Sequence, residues 1–258
     1  MNERFREIFF QVYEPLPRQG PGNLDSAGRA LALCRHLPPS PMILDMGCGV
    51  GGQTLHLAHL SPGTIYALDY HAPSVRRLAR SVTTRGLEHR VRPIVGDMAY
   101  PPFPPASFDL IWSEGALYQI GMERALGVCH GLLGPDGHMA FTDAVWRKTD
   151  PPAEIRESFD LDYPAMTTAP AIVSLLGHCG FELLGRFTLP DQAWWQYFYC
   201  PLEERIRELR SRYLHDAQAL AALDLLAREP ELHSRYSDYY AYEFFVARKG
   251  ARTPQGRG

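Results

Sequence analysis

The sequence has few cysteines and no pair of them at metal-binding or redox spacing. Cys34, Cys48, Cys129, Cys179 and Cys200 are odd in number and scattered. That excludes a disulfide-framed fold and a zinc–cysteine centre, and it fits free thiols in a reducing compartment. No uninterrupted apolar run reaches the length of a membrane span. The opening residues are broken by Glu3, Arg4, Arg6 and Glu7, so neither a signal peptide nor a membrane partner is expected, and a cytoplasmic location is. An excess of basic charge is missing too. Lys and Arg number 26 against 29 Asp and Glu, a net charge of −3. A protein that grips nucleic acid through its phosphates needs the opposite balance, so no nucleic-acid partner is expected. There is no internal repeat.

What the chain does have is an ordinary globular composition, 45% hydrophobic and 21% charged over 258 residues, enough for one large core. Phe5, Ile8, Phe9 and Val12 recur at helical spacing and predict an amphipathic helix. A breaker-rich loop follows from Glu14 to Gly22, then a helix with Ala27, Ala30, Leu31, Cys34 and Leu37 on one face, stopped by Pro38, Pro39 and Pro41. From residue 42 strands and helices alternate. Strands are expected at 42–46, 64–70, 91–98, 108–113 and 138–145, with helices between them and a Gly134–Gly137 turn before the fifth. This alternation implies a parallel sheet with helices on both faces. Later come a helix at 170–179, a strand at 181–189, and helical patterns through Leu202, Ile206, Leu209 and Tyr213 and through Leu220, Leu223 and Leu226. A last strand is expected at 239–247. The expected organisation is one domain over 1–248, with N-terminal cap helices in 1–37, a helical insert at 190–238 and a disordered tail at 249–258.

The strongest local signal is the run ILDMGCGVGG after the first strand. Gly47, Gly49 and Gly52 satisfy GxGxxG between a strand and a helix, where a tight turn and a close ligand both need backbone without side chains. The pattern alone also fits a nicotinamide-dependent oxidoreductase. Asp45 separates the two readings, because a carboxylate at the mouth of the loop repels a pyrophosphate and suits a ligand bearing positive charge. It either meets that ligand, directly or through water, or braces the loop. Asp69 ends the second strand, about twenty residues after the first glycine, where an acid reaches ribose hydroxyls. Asp97 follows the third strand on the same sheet edge, where it either accepts from an adenine amino group, with Met98 packed on the ring, or caps a helix.

The motifs ILDMGCGVGGQT, YALDY, VGDM, FDLIWSEGALYQIG and LLGPDGHMAFTD, in this order, resemble those of class I S-adenosylmethionine-dependent methyltransferases. The resemblance is close over residues 40–145 and extends to a group of bacterial small-molecule methyltransferases. It implies a Rossmann-like α/β fold whose seven-stranded, mostly parallel sheet has an antiparallel last strand. It implies S-adenosylmethionine as cofactor, with Gly47, Cys48 and Gly49 along its methionine part, Asp69 and Tyr70 at ribose and adenine, and Asp97 and Met98 at the adenine edge. Ser113 and Glu114 would lie beside the reacting methyl.

Methyl transfer from sulfonium is an in-line displacement that positioning alone can accelerate. Glu114 and Tyr118 are the candidates for orienting or deprotonating a small-molecule acceptor, with His71 behind them. Trp194 and Trp195 open the helical insert and are candidates for the acceptor pocket. That insert, together with the helix carrying Phe5 and Val12, is expected to fold over the strand C-termini and cover the acceptor, or else to form a homodimer interface. His56 and His59 stand three apart on a helix without a third ligand, and no metal is expected. Two other functions remain open at this point: a nicotinamide-dependent oxidoreductase, and a protein that binds S-adenosylmethionine without catalysis.

Overall fold

The computed structural model describes residues 3–250. In chain order the elements are α1 Glu3–Tyr13, α2 Leu24–Leu33, β1 Met42–Met46, α3 Gly52–Leu60, β2 Thr64–Asp69, α4 Ala72–Thr84, β3 Val91–Val95, β4 Phe108–Glu114, α5 Met122–Leu132 and β5 Leu133–Trp146. There follow α6 Ala153–Asp162, β6 Thr167–Thr168, α7 Ala169–His178, β7 Phe181–Thr188, α8 Gln192–Trp194, α9 Cys200–Arg212, α10 Ala217–Tyr236 and β8 Tyr240–Lys249. The main sheet runs β3-β2-β1-β4-β5-β8-β7. The first five of these strands pair in parallel, and β8 runs antiparallel to both β5 and β7.

The pleat sends alternate side chains to opposite faces. Leu44 and Met46 of β1 join a core with Ala125, Leu126 and Cys129 of α5 and Ile172 and Leu176 of α7. Ile43 joins the opposite core, with Ala27 and Ala30 of α2, Leu57 of α3 and Leu78 and Val82 of α4. Helix α2 begins at a defined cap, where the Asn23 side chain accepts the Ser26 N–H at 2.8 Å, an interaction worth roughly 0.5–2 kcal/mol.

A third core lies beyond the C-terminal end of β5. Ile8 and Val12 of α1, Leu202, Ile206 and Leu209 of α9, and Leu223 and Leu226 of α10 pack with Ala144 and Trp146. The insert therefore sits with α1 at the sheet edge where the parallel strands end. A turn of π-helix, Trp195–Tyr199, joins α8 to α9, and Pro230 lies inside α10, so neither segment is a regular helix throughout.

The main sheet has the seven strands expected, and the larger departures from expectation are four. One more strand pairs at the end of β5, off the main path. The extra one, β6, is two residues long and pairs with Val145 and Trp146, too short to leave a periodic signal in sequence. β3 ends at Val95, so Asp97 and Met98 stand in the following turn. The Gly134–Gly137 turn falls inside β5 as an irregularity, the register passing from Phe108 opposite Leu133 to Leu110 opposite His138. The last strand runs on to Lys249, with Arg248 opposite His138 and the Lys249 ammonium on the Leu133 carbonyl at 2.6 Å, so the expected tail begins too early. Residues 251–258 lie outside the described residues.

Candidate active site

The turn between β1 and α3 is held by its backbone. The N–H groups of Gly47 and Cys48 both donate to the Leu68 carbonyl, at 2.8 and 3.0 Å. Gly47 has φ +73°, and a Cβ there would collide with the Ala116 side chain and come within 3.7 Å of the Met98 methyl. Only glycine fits. The loop thus leaves a side-chain-free cradle between Ala116 and Met98.

The three carboxylates do different things. Asp69 accepts the Gly49 N–H and the His71 N–H, each at 2.8 Å. A carboxylate has about four acceptor positions, so two remain. Asp97 is exposed and accepts the Ala99 N–H at 2.7 Å, and Tyr70 beside the site is 69% exposed. Asp45 is fully buried on the α3 face of β1, and accepts from the Thr54 hydroxyl at 2.5 Å and the Gln53 amide at 3.3 Å. Burial pushes its pKa up to about 7, against those two hydrogen bonds. Of its two readings, bracing is the one this geometry matches, and the brace is to α3 side chains, while the loop N–H of Gly49 goes to Asp69.

The residues ending β4 are also committed. Ser113 is buried and donates to the Met46 carbonyl at 2.7 Å, tying β4 to β1. Glu114 accepts from the Trp112 indole at 2.8 Å and pairs with the Arg18 guanidinium at 2.6 Å, with side chains 3% and 6% exposed. A carboxylate so held is poorly placed to take a proton from an acceptor. Cys48 is buried, its thiol raised well above the ordinary range by burial. Arg18 Nη1 is buried with no hydrogen-bond partner among the described residues. The Arg18 side chain lies against Gly52 and Gly22, beside the start of α3, and its Nη1 is the orphaned donor an anionic ligand group would satisfy. Sequence reading missed it; the clue was its place between Pro17 and the Gly20–Gly22 breakers.

Beyond β4 and β5 the wall is aromatic. Tyr118 is half-buried, stacks on Tyr163 at 4.6 Å and donates to Asp162 at 3.0 Å. Burial and Asp162 raise its pKa. Trp194 is 5% exposed and stacks on His233 at 4.2 Å, with the Tyr242 ring edge-on at 5.0 Å. Trp195 is only partly buried. The Tyr242 hydroxyl reaches Gly115, just past β4. His71 stacks on Phe10 of α1 at 4.4 Å, joining the cover to the cradle side. Among the described residues no cluster of three or more His, Cys, Asp or Glu could hold a metal ion, and no helix is long and apolar enough to cross a membrane.

Comparison with known proteins agrees with this layout. Residues 43–137 match a family model described as a methyltransferase domain. The chain is 28% identical over 156 residues to a sarcosine/dimethylglycine N-methyltransferase of Halorhodospira halochloris, covering 60% of this chain and 56% of that protein. It is 25% identical over 177 residues to a sterol 24-C-methyltransferase of Aspergillus fumigatus, covering 66% and 47%. The chain thus spans about half the length of these curated relatives. A crystal structure of an S-adenosylmethionine-dependent methyltransferase from Geobacter sulfurreducens, in complex with S-adenosyl-L-homocysteine, superposes with a TM-score of 0.79. It has 18% identity and covers 94% of this chain and 98% of that one.

Proposed function

We propose that this chain, built on a class I S-adenosylmethionine-dependent methyltransferase domain, moves a methyl group from S-adenosylmethionine to a small-molecule acceptor enclosed at the strand C-termini. The observation that carries the reading is the joint placement of the side-chain-free loop at Gly47 and the helical cover of α1, α9 and α10 at one sheet edge. The cradle fits the cofactor: a glycine turn for close approach, Asp69 with acceptor capacity left for ribose hydroxyls, Met98 for the adenine side, and Arg18 with a free donor for the methionyl carboxylate. When bound, S-adenosylmethionine supplies an electrophilic methyl on a sulfonium. The protein's own part is to hold the acceptor in line with that methyl and keep water out.

Neither earlier alternative gains support. The strand order of a dinucleotide-binding sheet continues past its fifth strand with a sixth next in sequence, whereas here the antiparallel β8 is inserted between β5 and β7. The relatives' names do not converge on one acceptor, since one is an N-methyltransferase and the other a C-methyltransferase. Net charge and the closed cover favour a small molecule over nucleic acid, in the cytoplasm. Leu161, Leu214 and Leu225, exposed on or beside the cover helices, are the apolar surface a homodimer would use.

Titration calorimetry tests the reading. S-adenosylmethionine and S-adenosylhomocysteine should each bind at one site per chain, and NADH should not compete. Mass spectrometry of the purified protein with S-adenosylmethionine and a metabolite extract should then show S-adenosylhomocysteine forming. Binding without any turnover would leave a cofactor-binding protein and no enzyme.

A further inference from the structure

The inner face of α10 carries a carboxylate where its neighbours are apolar. Helical spacing puts Glu229 on the same side as Leu226, Pro230 and His233, all buried. Glu229 itself is exposed, yet the two tyrosines that meet it, Tyr13 and Tyr199, are buried. A carboxylate so flanked faces a recess among these side chains. Two buried tyrosines hold it there. Tyr13 of α1 donates to one oxygen at 3.1 Å, and Tyr199 of the π-helical turn donates to the other at 3.2 Å.

The surroundings of Glu229 are aromatic and acidic. Asp162 lies near it and accepts a hydrogen bond from Tyr118. Tyr242 lies near all three, and among the described residues its hydroxyl has no hydrogen-bond partner. Among the described residues no Lys, Arg or His pairs with Glu229. Desolvation among these side chains raises its pKa above the ordinary carboxylate value, against the hydrogen bonds from Tyr13 and Tyr199. A carboxylate held by two hydroxyls and lacking a cationic partner is a group that a cationic ligand would satisfy.

Resting on the methyltransferase reading, we infer that the acceptor is an amine that enters as its ammonium ion and is anchored by Glu229 beside Tyr13 and Tyr199. The chemistry balances. The ammonium gives one proton to a Glu229 oxygen and frees the nitrogen lone pair. That pair forms the new N–C bond to the methyl, and the C–S bond breaks with its electrons left on sulfur. The products are the N-methylated ammonium ion and S-adenosylhomocysteine, and the proton on Glu229 passes to water.

The test separates this inference from the reading beneath it. The full chain is first saturated with S-adenosylhomocysteine; no binding at this step defeats the methyltransferase reading itself. Choline and its uncharged carbon isostere 3,3-dimethylbutan-1-ol are then titrated at pH 8, by calorimetry and by tryptophan fluorescence. Choline should bind about tenfold or more tighter than the isostere, and Glu229→Gln should abolish the preference while leaving S-adenosylhomocysteine affinity unchanged. Equal binding of the two probes, binding of neither, or a preference that survives Glu229→Gln overturns the inference. If Glu229→Gln fails to fold, the wild-type pH profile decides. Choline should weaken on acidification as Glu229 takes a proton, and the isostere should not. The other titratable groups facing the site are Tyr13, Tyr118, Asp162, Tyr199, Tyr240 and Tyr242. Five are phenols that stay protonated throughout that range, and a choline affinity flat down to pH 5 overturns the inference.

Discussion

Arg18 and Glu114 form an ion pair closed off from solvent, with Nη2 and Oε2 2.6 Å apart and neither side chain more than 6% exposed. The pair ties the loop before α2 to the end of β4, 96 residues away in sequence. Removing one partner strands the other charge in the interior, which costs roughly 3–5 kcal/mol. Arg18→Met should therefore lower unfolding free energy by about that much in urea titrations. The double variant Arg18→Met/Glu114→Gln should recover most of the loss, because no unpaired charge remains. An Arg18→Met protein as stable as the wild type would show the pair to be idle.

Asp69 holds the glycine loop and has acceptor capacity to spare. The Gly49 and His71 N–H groups donate to different oxygens of Asp69, so Asp69→Asn keeps an acceptor for only one of them and loses the charge. If the spare positions take ribose hydroxyls, the lost charge-assisted bonds are worth about 1.5–3 kcal/mol. Calorimetry should then show S-adenosylmethionine affinity lower by roughly ten- to a hundred-fold, with a modest drop in the thermal midpoint from the lost loop contact. Unaltered affinity would reduce Asp69 to a brace for the loop.

Asp143 of β5 is 1% exposed and accepts the Tyr163 hydroxyl at 2.7 Å. Glu243 stands opposite it on β8, paired with Arg186. Burial raises the Asp143 pKa from 3.8 to about 7. Below the lower value the folded and unfolded chains both hold the proton. Between the two values only the folded chain does, so stability falls as pH rises and the cost is complete above about pH 7. Asn at this position keeps an acceptor for Tyr163 and carries no charge. The stability difference between Asp143→Asn and wild type should thus move in the variant's favour from pH 5 to pH 8, by at most roughly 3 kcal/mol. His56, His138 and His233, whose pKa values burial lowers, act in the opposite sense but are common to both proteins. A difference that does not change with pH would place an ionised carboxylate at Asp143 throughout.

The parts of the fold that were legible in the sequence are those with a period. Alternating strands and helices, the Gly47–Gly49 turn and the amphipathic face of Phe5, Ile8 and Val12 all announce themselves within a few residues. The committed roles of the acids did not, because the partners are remote. Glu114 reads as a free carboxylate at a strand end until Arg18 is brought to it, and Asp45 reads as ligand-facing until the pleat turns it toward Thr54. Glu229 was partly legible. It breaks the Leu220, Leu223 and Leu226 series at a position one turn from Leu226, where a polar residue on an apolar face asks for an explanation.

The two tryptophans opening the insert, read together from sequence, should behave differently. Trp194 is a packed residue: it stacks on His233, whose ring nitrogens meet the Tyr240 hydroxyl at 2.8 Å and Asp191 at 3.1 Å. Trp194→Ala empties a filled site in the third core, and such a change costs roughly 3–5 kcal/mol. The cover should loosen, with a lower thermal midpoint and faster amide exchange in α9 and α10. Trp195 is partly exposed and touches Tyr199, the residue that holds Glu229. Trp195→Ala should leave the thermal midpoint within a few degrees of wild type and leave S-adenosylhomocysteine affinity intact. Its effect should fall on the acceptor, as a raised KM or a weakened choline titration. If both variants only destabilise, the insert is a structural cover and Trp195 does not reach the acceptor.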